Sequence, residues 1–185
     1  MISNRSGEIL VFNNVSDDVA LIKQSALDEY EKNKDFLPEY HTGYRITLSK
    51  SMPVTKILDD RLEPCLKEYI SEYKLDQNNK YSFSDWIIMG WTVPGFGMEL
   101  HNDHYNDATV HGEKHHQPSF TAIFYLAHNC EGGEIQFPDV DFSLKPSNGT
   151  IIIFPSHMNH QVSEYISGER VVAQKFVFIG ARESK

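Results

Sequence analysis

Short apolar runs alternate with clusters of turn-forming residues along the second half of the chain. The runs are rich in β-branched and aromatic side chains and lie at residues 85–91, 119–127, 133–137, 150–154 and 170–179. Pro94-Gly95, Gly132-Gly133 and residues 146–149 punctuate them, and such residues favour turns between strands. The pattern therefore predicts a series of short strands from Tyr81 onward.

The N-terminal part shows a helical pattern instead. Apolar residues recur at the spacing of one helix face at Val19, Ile22, Ala26 and Tyr30. Ser16, Asp17 and Asp18 precede them and offer side-chain oxygens that cap a helix start. We expect an amphipathic helix that runs through Lys32.

A second helical stretch covers residues 57–73 and contains Pro64. A proline inside a helix removes a hydrogen bond and clashes with the preceding turn, whereas a proline in the first turn is tolerated. We therefore expect a new helix to begin at Pro64. Its sheet-facing residues would be Leu66, Tyr69, Ile70 and Tyr73.

Together these elements predict a mainly β fold, a double-stranded β-helix (jelly roll, cupin-like) braced by N-terminal α-helices. The chain has 185 residues, which is long enough for one sizeable core and too short for two ordinary domains. We expect a single domain over residues 1–185. Helical and flanking support would occupy about residues 1–80 and the jelly-roll core about residues 81–182.

Composition indicates which kinds of partner and which cellular compartment to expect. Lys and Arg total 17 against 26 Asp and Glu, a formal charge of −9, and the basic residues form no stripe. No nucleic-acid partner is therefore expected, and a neutral or basic substrate fits better. The chain has two cysteines, Cys65 and Cys130, and no apolar run precedes Asn13. We expect a reduced cytoplasmic protein with no signal peptide and no membrane partner.

Three residues have the chemistry of a metal site. His101 and Asp103 are two positions apart, so in an extended strand both side chains reach the same face and one metal. His160, at the polar end of the apolar segment 150–160, would add a third ligand from a distant strand. Two histidines and one carboxylate leave several positions of an octahedron open, as in non-haem iron(II) enzymes, whereas a closed structural zinc site needs a fourth protein ligand.

Arg170 adds an anion-binding candidate. It precedes the apolar run 171–179 and is expected to start the antiparallel strand that follows His160. A buried guanidinium needs a planar anion, and the far end of a dicarboxylate supplies one in bidentate geometry.

At this point residues 86–180 resemble the iron(II)/2-oxoglutarate-dependent dioxygenases, and within them the prolyl 4-hydroxylase-like branch. The resemblance rests on the pair His101 and Asp103, Phe124-Tyr125-Leu126, residues 132–137, and an ending that contains Pro146, Gly149, Phe154-Pro155, His160, Val162, Gly168 and Arg170 in order. A lone His-X-Asp pair is weak support for such a family, but all these elements in the right order are strong support.

The resemblance implies roles for the candidate residues. His101, Asp103 and His160 would bind iron(II), and Arg170 would hold the distal carboxylate of 2-oxoglutarate with help from the Tyr125 hydroxyl. Trp91 stands where many relatives have a tyrosine, and its indole N–H could donate instead. The expected cofactor-binding set is Arg170, Tyr125, Trp91, Ile135 and Val162.

The resemblance also implies the reaction. Iron(II), 2-oxoglutarate and O2 would support hydroxylation of an unactivated C–H bond with decarboxylation of 2-oxoglutarate to succinate. Ascorbate is a further candidate, because it often sustains turnover in this family. The branch favours a prolyl residue of a peptide or protein and also contains enzymes that act on small molecules. Substrate would enter across residues 104–118 and 39–53, with Tyr40, Tyr44 and Arg45 as candidate contacts.

Other interpretations of the same residues stay open. His160 could be an ordinary strand-end histidine, Asp103 a turn cap and Tyr125 plain core, although their joint order with Arg170 favours a site. Four loop histidines are interpreted as solvated surface, with a second metal site or a substrate contact as the alternative: His104, His111, His115 and His116. Two rival functions are a non-catalytic jelly-roll binding module and a cupin-like metal enzyme that does not use 2-oxoglutarate. The second would leave Arg170 without a role. A zinc hydrolase is less favoured, because no helical His spacing is present.

Overall fold

The computed structural model describes residues 2–180 apart from residues 17, 34–42, 77–78, 105–108, 111–112 and 115–116. The helices are α1 (Val19–Asn33) and α2 (Pro53–Glu72). The strands are β1 (Ile2–Ser6), β2 (Ile9–Phe12), β3 (Gly43–Leu48), β4 (Tyr81–Phe83), β5 (Trp86–Trp91), β6 (Phe96–His101), β7 (Thr109–Val110), β8 (Glu113–Lys114), β9 (Phe120–Gly132), β10 (Ile135–Phe137), β11 (Phe142–Leu144), β12 (Thr150–Pro155) and β13 (His160–Ile179). The predicted mainly β architecture is confirmed.

Among the described residues, all strands except the β7–β8 pair belong to one antiparallel sheet. The 20-residue strand β13 connects its parts, since β6 and β10 pair with its first residues and β9, β5 and β4 pair further along. This one strand therefore carries both His160 and Arg170. The expectation that Arg170 starts a new strand is wrong, because residues 160–169, although mostly polar, already pair with β6, β9 and β10.

The helices cover one face of the sheet. Alternate β13 residues Val171, Ala173 and Val177 are buried in the larger core, where residues of α1 and α2 also pack. Val172 points the other way into a second cluster with Met89 and Tyr125. This alternation follows from the two-residue period of a strand, and it leaves the second face free to line a cavity.

Helix α1 agrees with its prediction, and Ile22 and Ala26 are buried on its inner face. Of the expected caps, Asp17 lies outside the described residues. The Ser16 hydroxyl accepts a hydrogen bond from the backbone N–H of Asp18 at 3.0 Å. The Asp18 carbonyl in turn accepts the hydrogen bond from the Ile22 N–H at 2.9 Å. Asp18 therefore stands at the start of the helix.

Helix α2 corrects the second prediction. It runs unbroken through Pro64, so no new helix begins there, and its first turn starts at Pro53 instead. Pro64 is exposed, while Leu58 and Leu62 before it and Leu66 after it are buried on the core side. Packing of one continuous apolar face offsets the roughly 3 kcal/mol that an interior proline costs a helix.

Three strands that precede residue 80 also belong to the sheet, where only helical and flanking support was expected. Strand β2 lies between β1 and β12 and is fully buried, and β3 pairs with β5. The four-residue run of β2 is short, and a run of that length is ambiguous between helix and strand until its partners are known. Neither helix is both long enough and apolar enough to cross a lipid bilayer.

Candidate metal centre and anion pocket

The three predicted metal ligands lie together where β6 meets the start of β13. His101 ends β6 and pairs across the sheet with His160, the first residue of β13. The Nε2 atoms of both histidines lie 3.8 Å from carboxylate oxygens of Asp103. One ligand atom from each residue lies within 4.8 Å of the others, close enough for all three to bind one divalent ion.

Asp103 reaches this point from outside the strand. It follows the last residue of β6, so strand alternation does not explain why it faces the same way as His101. Its backbone N–H donates to the Ser156 carbonyl at 2.8 Å, and its carboxylate accepts a hydrogen bond from the Thr121 hydroxyl at 2.6 Å. The Thr121 hydroxyl also lies 2.9 Å from that of Ser156. The end of β12 and the start of β9 therefore fix the carboxylate.

Backbone carbonyls orient both imidazoles. His101 Nδ1 lies 2.7 Å from the Glu99 carbonyl oxygen, and His160 Nδ1 lies 3.0 Å from that of Met158. Each Nδ1 therefore carries the proton, which leaves the Nε2 lone pair free for a metal. Burial lowers the pKa of His160, which favours the neutral, metal-binding form. The site thus fits a divalent metal with two His and one carboxylate as ligands.

Arg170 is a buried cation without a protein counterion among the described residues. Its side chain is on the inner face of β13, and the residue is 4% exposed. Nε donates one hydrogen bond to the Gly133 carbonyl at 3.3 Å, and the guanidinium carbon lies 4.2 Å from the centre of the Trp91 ring. Burial lowers the pKa of Arg170, yet a guanidinium stays protonated in proteins. A charge in this setting calls for an anionic ligand.

Tyr125 and His128 stand beside Arg170 with unused polar atoms. Burial raises the pKa of Tyr125 to about 12, so its hydroxyl stays protonated. That hydroxyl and His128 Nδ1 have no hydrogen-bond partner in the described part of the chain, and His128 Nε2 lies 3.1 Å from the Gly133 carbonyl. The Arg170 guanidinium lies 5.9 Å from the Tyr125 ring centre. The Tyr125 hydroxyl is therefore available to donate to an anion bound at Arg170.

One cavity of about 130 Å³ contains both features. His101, Asp103, His160 and Arg170 line it together with Trp91, Ile135, Val162, Arg45, Gln174 and mainly apolar neighbours. A larger cavity of about 520 Å³ lies between α2 and β4, but the described metal-ligand cluster is not there. The smaller cavity is therefore the candidate site.

The other candidates are placed less centrally. Arg45 lines the cavity, whereas Tyr44 is buried on the opposite face of β3 and packs against Tyr30. His104 is half-buried, with its ring centre 6.0 Å from that of His157. Tyr40, His111, His115 and His116 lie outside the described residues, so their roles stay predictions.

Three polar residues of the site were not predicted: Thr121, His128 and Gln174. Thr121 and Gln174 interrupt apolar strand runs and His128 follows one, which was the available signal in the sequence. Polar residues in such runs are common on solvent-facing positions, so the signal alone could not assign them to the cavity. Only the pairing of β9, β13 and β5 shows that they belong to its inner face.

Comparisons with known proteins cover the part of the chain that carries this site. The model of the 2OG-Fe(II) oxygenase superfamily matches residues 80–178, more than half of the chain. No curated protein sequence matches.

Solved structures show the same fold. A viral collagen prolyl hydroxylase from Paramecium bursaria chlorella virus 1, solved with 2-oxoglutarate, matches with a TM-score of 0.71 and 19% identity over 95% of this chain and 97% of that one. A Pseudomonas putida prolyl-4-hydroxylase matches with a TM-score of 0.67 and 14% identity over 95% and 93%. A Trichoplax adhaerens prolyl hydroxylase in complex with a peptide of hypoxia inducible factor gives 0.66 and 15% over 92% and 83%. The predicted double-stranded β-helix is thereby confirmed.

Proposed function

The chain belongs to the 2OG-Fe(II) oxygenase superfamily, and from this premise we propose that it hydroxylates a prolyl residue of a peptide or protein. The family makes it a 2-oxoglutarate-dependent dioxygenase that uses iron(II), 2-oxoglutarate and O2. The prolyl substrate is supported by three structural relatives that are prolyl hydroxylases, one of them solved with a peptide. Family membership disfavours both rival functions, the binding module and the cupin-like enzyme without 2-oxoglutarate.

One observation carries the assignment of residues: a metal-ligand triad and an uncompensated buried guanidinium line the same cavity. In this proposal His101, Asp103 and His160 hold iron(II), with Thr121 orienting the Asp103 carboxylate. Arg170 and the Tyr125 hydroxyl bind the distal carboxylate of 2-oxoglutarate. Ile135 and Val162 form apolar walls along the co-substrate, and Trp91 covers one face of the guanidinium.

When bound, iron(II) and 2-oxoglutarate supply an oxidation in which the two atoms of O2 end in succinate and in the hydroxylated product. The protein contributes placement and shielding. Ile87, Met89 and Ile123 make part of the cavity wall apolar, which limits the water that reaches the reacting carbon. The substrate prolyl ring would lie against this wall, with its target carbon facing the side of the metal that no protein ligand covers.

The test incubates the protein with iron(II), 2-oxoglutarate, ascorbate and a panel of proline-containing peptides, and measures succinate and the gain of one oxygen atom on proline by mass spectrometry. Wild type should form succinate and hydroxyproline in equal amounts. Asp103→Asn should abolish both, because it removes a charged metal ligand. Asp85→Asn, the same change at an exposed position, serves as the control.

Two results would contradict the prolyl proposal. Steady succinate formation without hydroxylation of any peptide would leave a dioxygenase with a different substrate. Hydroxylation of free amino acids alone would identify a small-molecule enzyme. Omitting ascorbate from parallel reactions tests whether it sustains turnover.

We also propose a single cytoplasmic domain. Cys65 and Cys130 are both free thiols, which suits a reducing compartment, and strands from the N-terminal part are built into the same sheet as the core. Cell fractionation tests the compartment. Limited proteolysis tests the domain: a stable fragment confined to residues 81–182 would argue against it.

A further inference from the structure

Two polar side chains of the cavity wall have no role in holding the metal or 2-oxoglutarate. Arg45 lies on β3 opposite Met89 of β5, and Gln174 lies on β13 opposite Ile87 of β5. Strand alternation places both on the face that also presents Arg170, and both line the cavity that contains the metal-ligand triad. Arg45 and Gln174 lie two residue rows apart along the sheet. Gln174 is half-buried, and Arg45 is exposed.

Neither side chain has a hydrogen-bond or ion-pair partner among the described residues. In the described part of the chain the Arg45 guanidinium forms no ion pair with an acidic residue, and neither it nor the Gln174 amide is hydrogen-bonded. A guanidinium and an amide that both offer N–H donors to one cavity suit an oxygen-rich group.

With iron(II) and 2-oxoglutarate bound, the charges of the other lining residues are balanced and the charge of Arg45 is not. Asp103, Arg170 and Arg45 carry the ionised groups among the lining residues, apart from the histidines. The charges of iron(II) and Arg170 are matched by the Asp103 carboxylate and the 2-oxoglutarate dianion. Arg45 is then the one lining charge without a counterion among the described residues, and it lies at the exposed side of the cavity.

We propose that Arg45, assisted by the Gln174 amide, binds a carboxylate of the substrate. The inference rests on the proposed function and narrows it: the target prolyl residue is accompanied by a carboxylate, from an acidic neighbouring side chain or from a free C-terminus. Both sources offer the same planar anion to the guanidinium fork. Because Arg45 is exposed, the interaction is screened, and its loss should change affinity about fivefold.

The test compares matched peptides that differ in one group. The first pair has Pro-Glu or Pro-Gln within a blocked peptide, and the second pair ends in proline with a free or an amidated C-terminus. Binding is measured anaerobically by calorimetry with iron(II) and saturating 2-oxoglutarate, so that Arg170 is already occupied. Hydroxylation of the same peptides is measured separately in air.

Wild type should bind one carboxylate peptide about fivefold more tightly than its amide partner. Arg45→Gln should remove this difference, Arg45→Lys should keep part of it, and Lys50→Gln, an equal charge loss at an exposed residue outside the cavity, should keep all of it. The pair that shows the difference identifies the source of the carboxylate.

Equal binding of both members of each pair by wild type, or a preference that persists in Arg45→Gln, would overturn the proposal. So would a loss of 2-oxoglutarate affinity in Arg45→Gln as large as the loss of peptide affinity, since Arg45 would then serve the co-substrate. Arg45-dependent binding of a carboxylate peptide without hydroxylation of any peptide would support the carboxylate site and refute prolyl hydroxylation.

Discussion

Strand β13 carries two buried cations on opposite faces, and their surroundings differ. Lys175 faces the helices, where its Nζ is bound by the Asp59 carboxylate of α2. The same carboxylate oxygen accepts a hydrogen bond from Trp86 Nε1 at 2.8 Å, and the Lys175 ammonium lies 5.0 Å from the Trp86 ring centre. Arg170 faces the cavity, where it forms one hydrogen bond to Gly133 and lies against the Trp91 ring and near the Tyr125 ring, with no carboxylate among the described residues.

The difference separates a structural cation from a functional one. Burying a charge without a counterion costs free energy, so a fold that keeps one must recover that cost elsewhere. At Lys175 the protein supplies the counterion and thereby fixes α2 to the sheet. At Arg170 the counterion must come from a ligand. We therefore expect changes at Arg170 to weaken ligand binding without loss of stability. Breaking the Lys175–Asp59 pair should instead lower stability.

Arg170→Leu should produce the largest effect, on binding of 2-oxoglutarate. The variant removes the bidentate, charge-assisted contact, and we expect the dissociation constant to rise about a hundredfold. Anaerobic titration with iron(II) and 2-oxoglutarate measures it through the visible charge-transfer band of the chelate. The free energy of unfolding without ligands should not fall, because an uncompensated charge is replaced by an apolar side chain. A large loss of stability would show that Arg170 is a structural cation like Lys175 and would contradict the distinction between the two.

Asp59→Ala should have the converse effect. It leaves the Lys175 ammonium buried without its counterion, and we expect a loss of about 2 kcal/mol in urea unfolding. This is less than for a fully buried pair, because the Asp59 side chain is 48% exposed against 5% for Lys175. The double variant Asp59→Leu, Lys175→Met should recover most of the stability, since it removes both charges. If the double variant is as unstable as Asp59→Ala, the ion pair is not the cause.

Trp91→Leu should weaken the anion pocket to a smaller extent. The indole ring contacts the guanidinium face, and a buried cation–π contact contributes about 1 to 2 kcal/mol, so the 2-oxoglutarate dissociation constant should rise about tenfold. Trp91→Phe keeps an aromatic face and should fall between Leu and wild type. The same titration measures all three proteins. Equal affinity of Trp91→Leu and wild type would show that Gly133 alone positions Arg170.

The same contrast explains what the sequence could predict. His101, Asp103, His160 and Arg170 were found because their residue types and order imply a chemistry that few other arrangements require. The strands that carry these residues were predicted less well. The first half of β13 is mostly polar, so no apolar run indicated a strand there. The Lys175–Asp59 pair spans 116 positions, and no local pattern connects an exposed-looking lysine with a helix residue so distant. Such pairs appear only when the strand register is known.

Strand β2 shows why a sheet strand in the N-terminal part could not be predicted. Strand β2 is a run of four apolar residues, and its place beside β12 depends on a partner more than a hundred residues away. Local periodicity contains no information about such a distant partner. The helical spacing of α1, in contrast, is visible within the helix's own residues. Helix α1 was therefore predicted from its own sequence, and the place of β2 in the sheet was not.

The smallest expected effect concerns His128, which pairs across the sheet with Arg170. Burial lowers the pKa of His128, and the nearby Arg170 and Lys145 charges lower it further, while the Gly133 hydrogen bond opposes them. Below about pH 6.5 the unfolded chain therefore takes up a proton that the folded chain does not, and stability falls as the pH drops toward the lowered value. His128→Asn should make the unfolding free energy less dependent on pH in this window.

The experiment follows the ring protons of His128 by NMR, assigned by comparison with His128→Asn because the chain has nine histidines. The pKa should lie below that of a free histidine in wild type and should rise in Arg170→Leu, because a neighbouring positive charge is removed. Asp59→Ala should leave it in place, since the change lies on the other face of the sheet. A His128 pKa that ignores Arg170 but responds to Asp59 would mean that the two faces are not electrostatically separate, and the distinction between the two cations would fail.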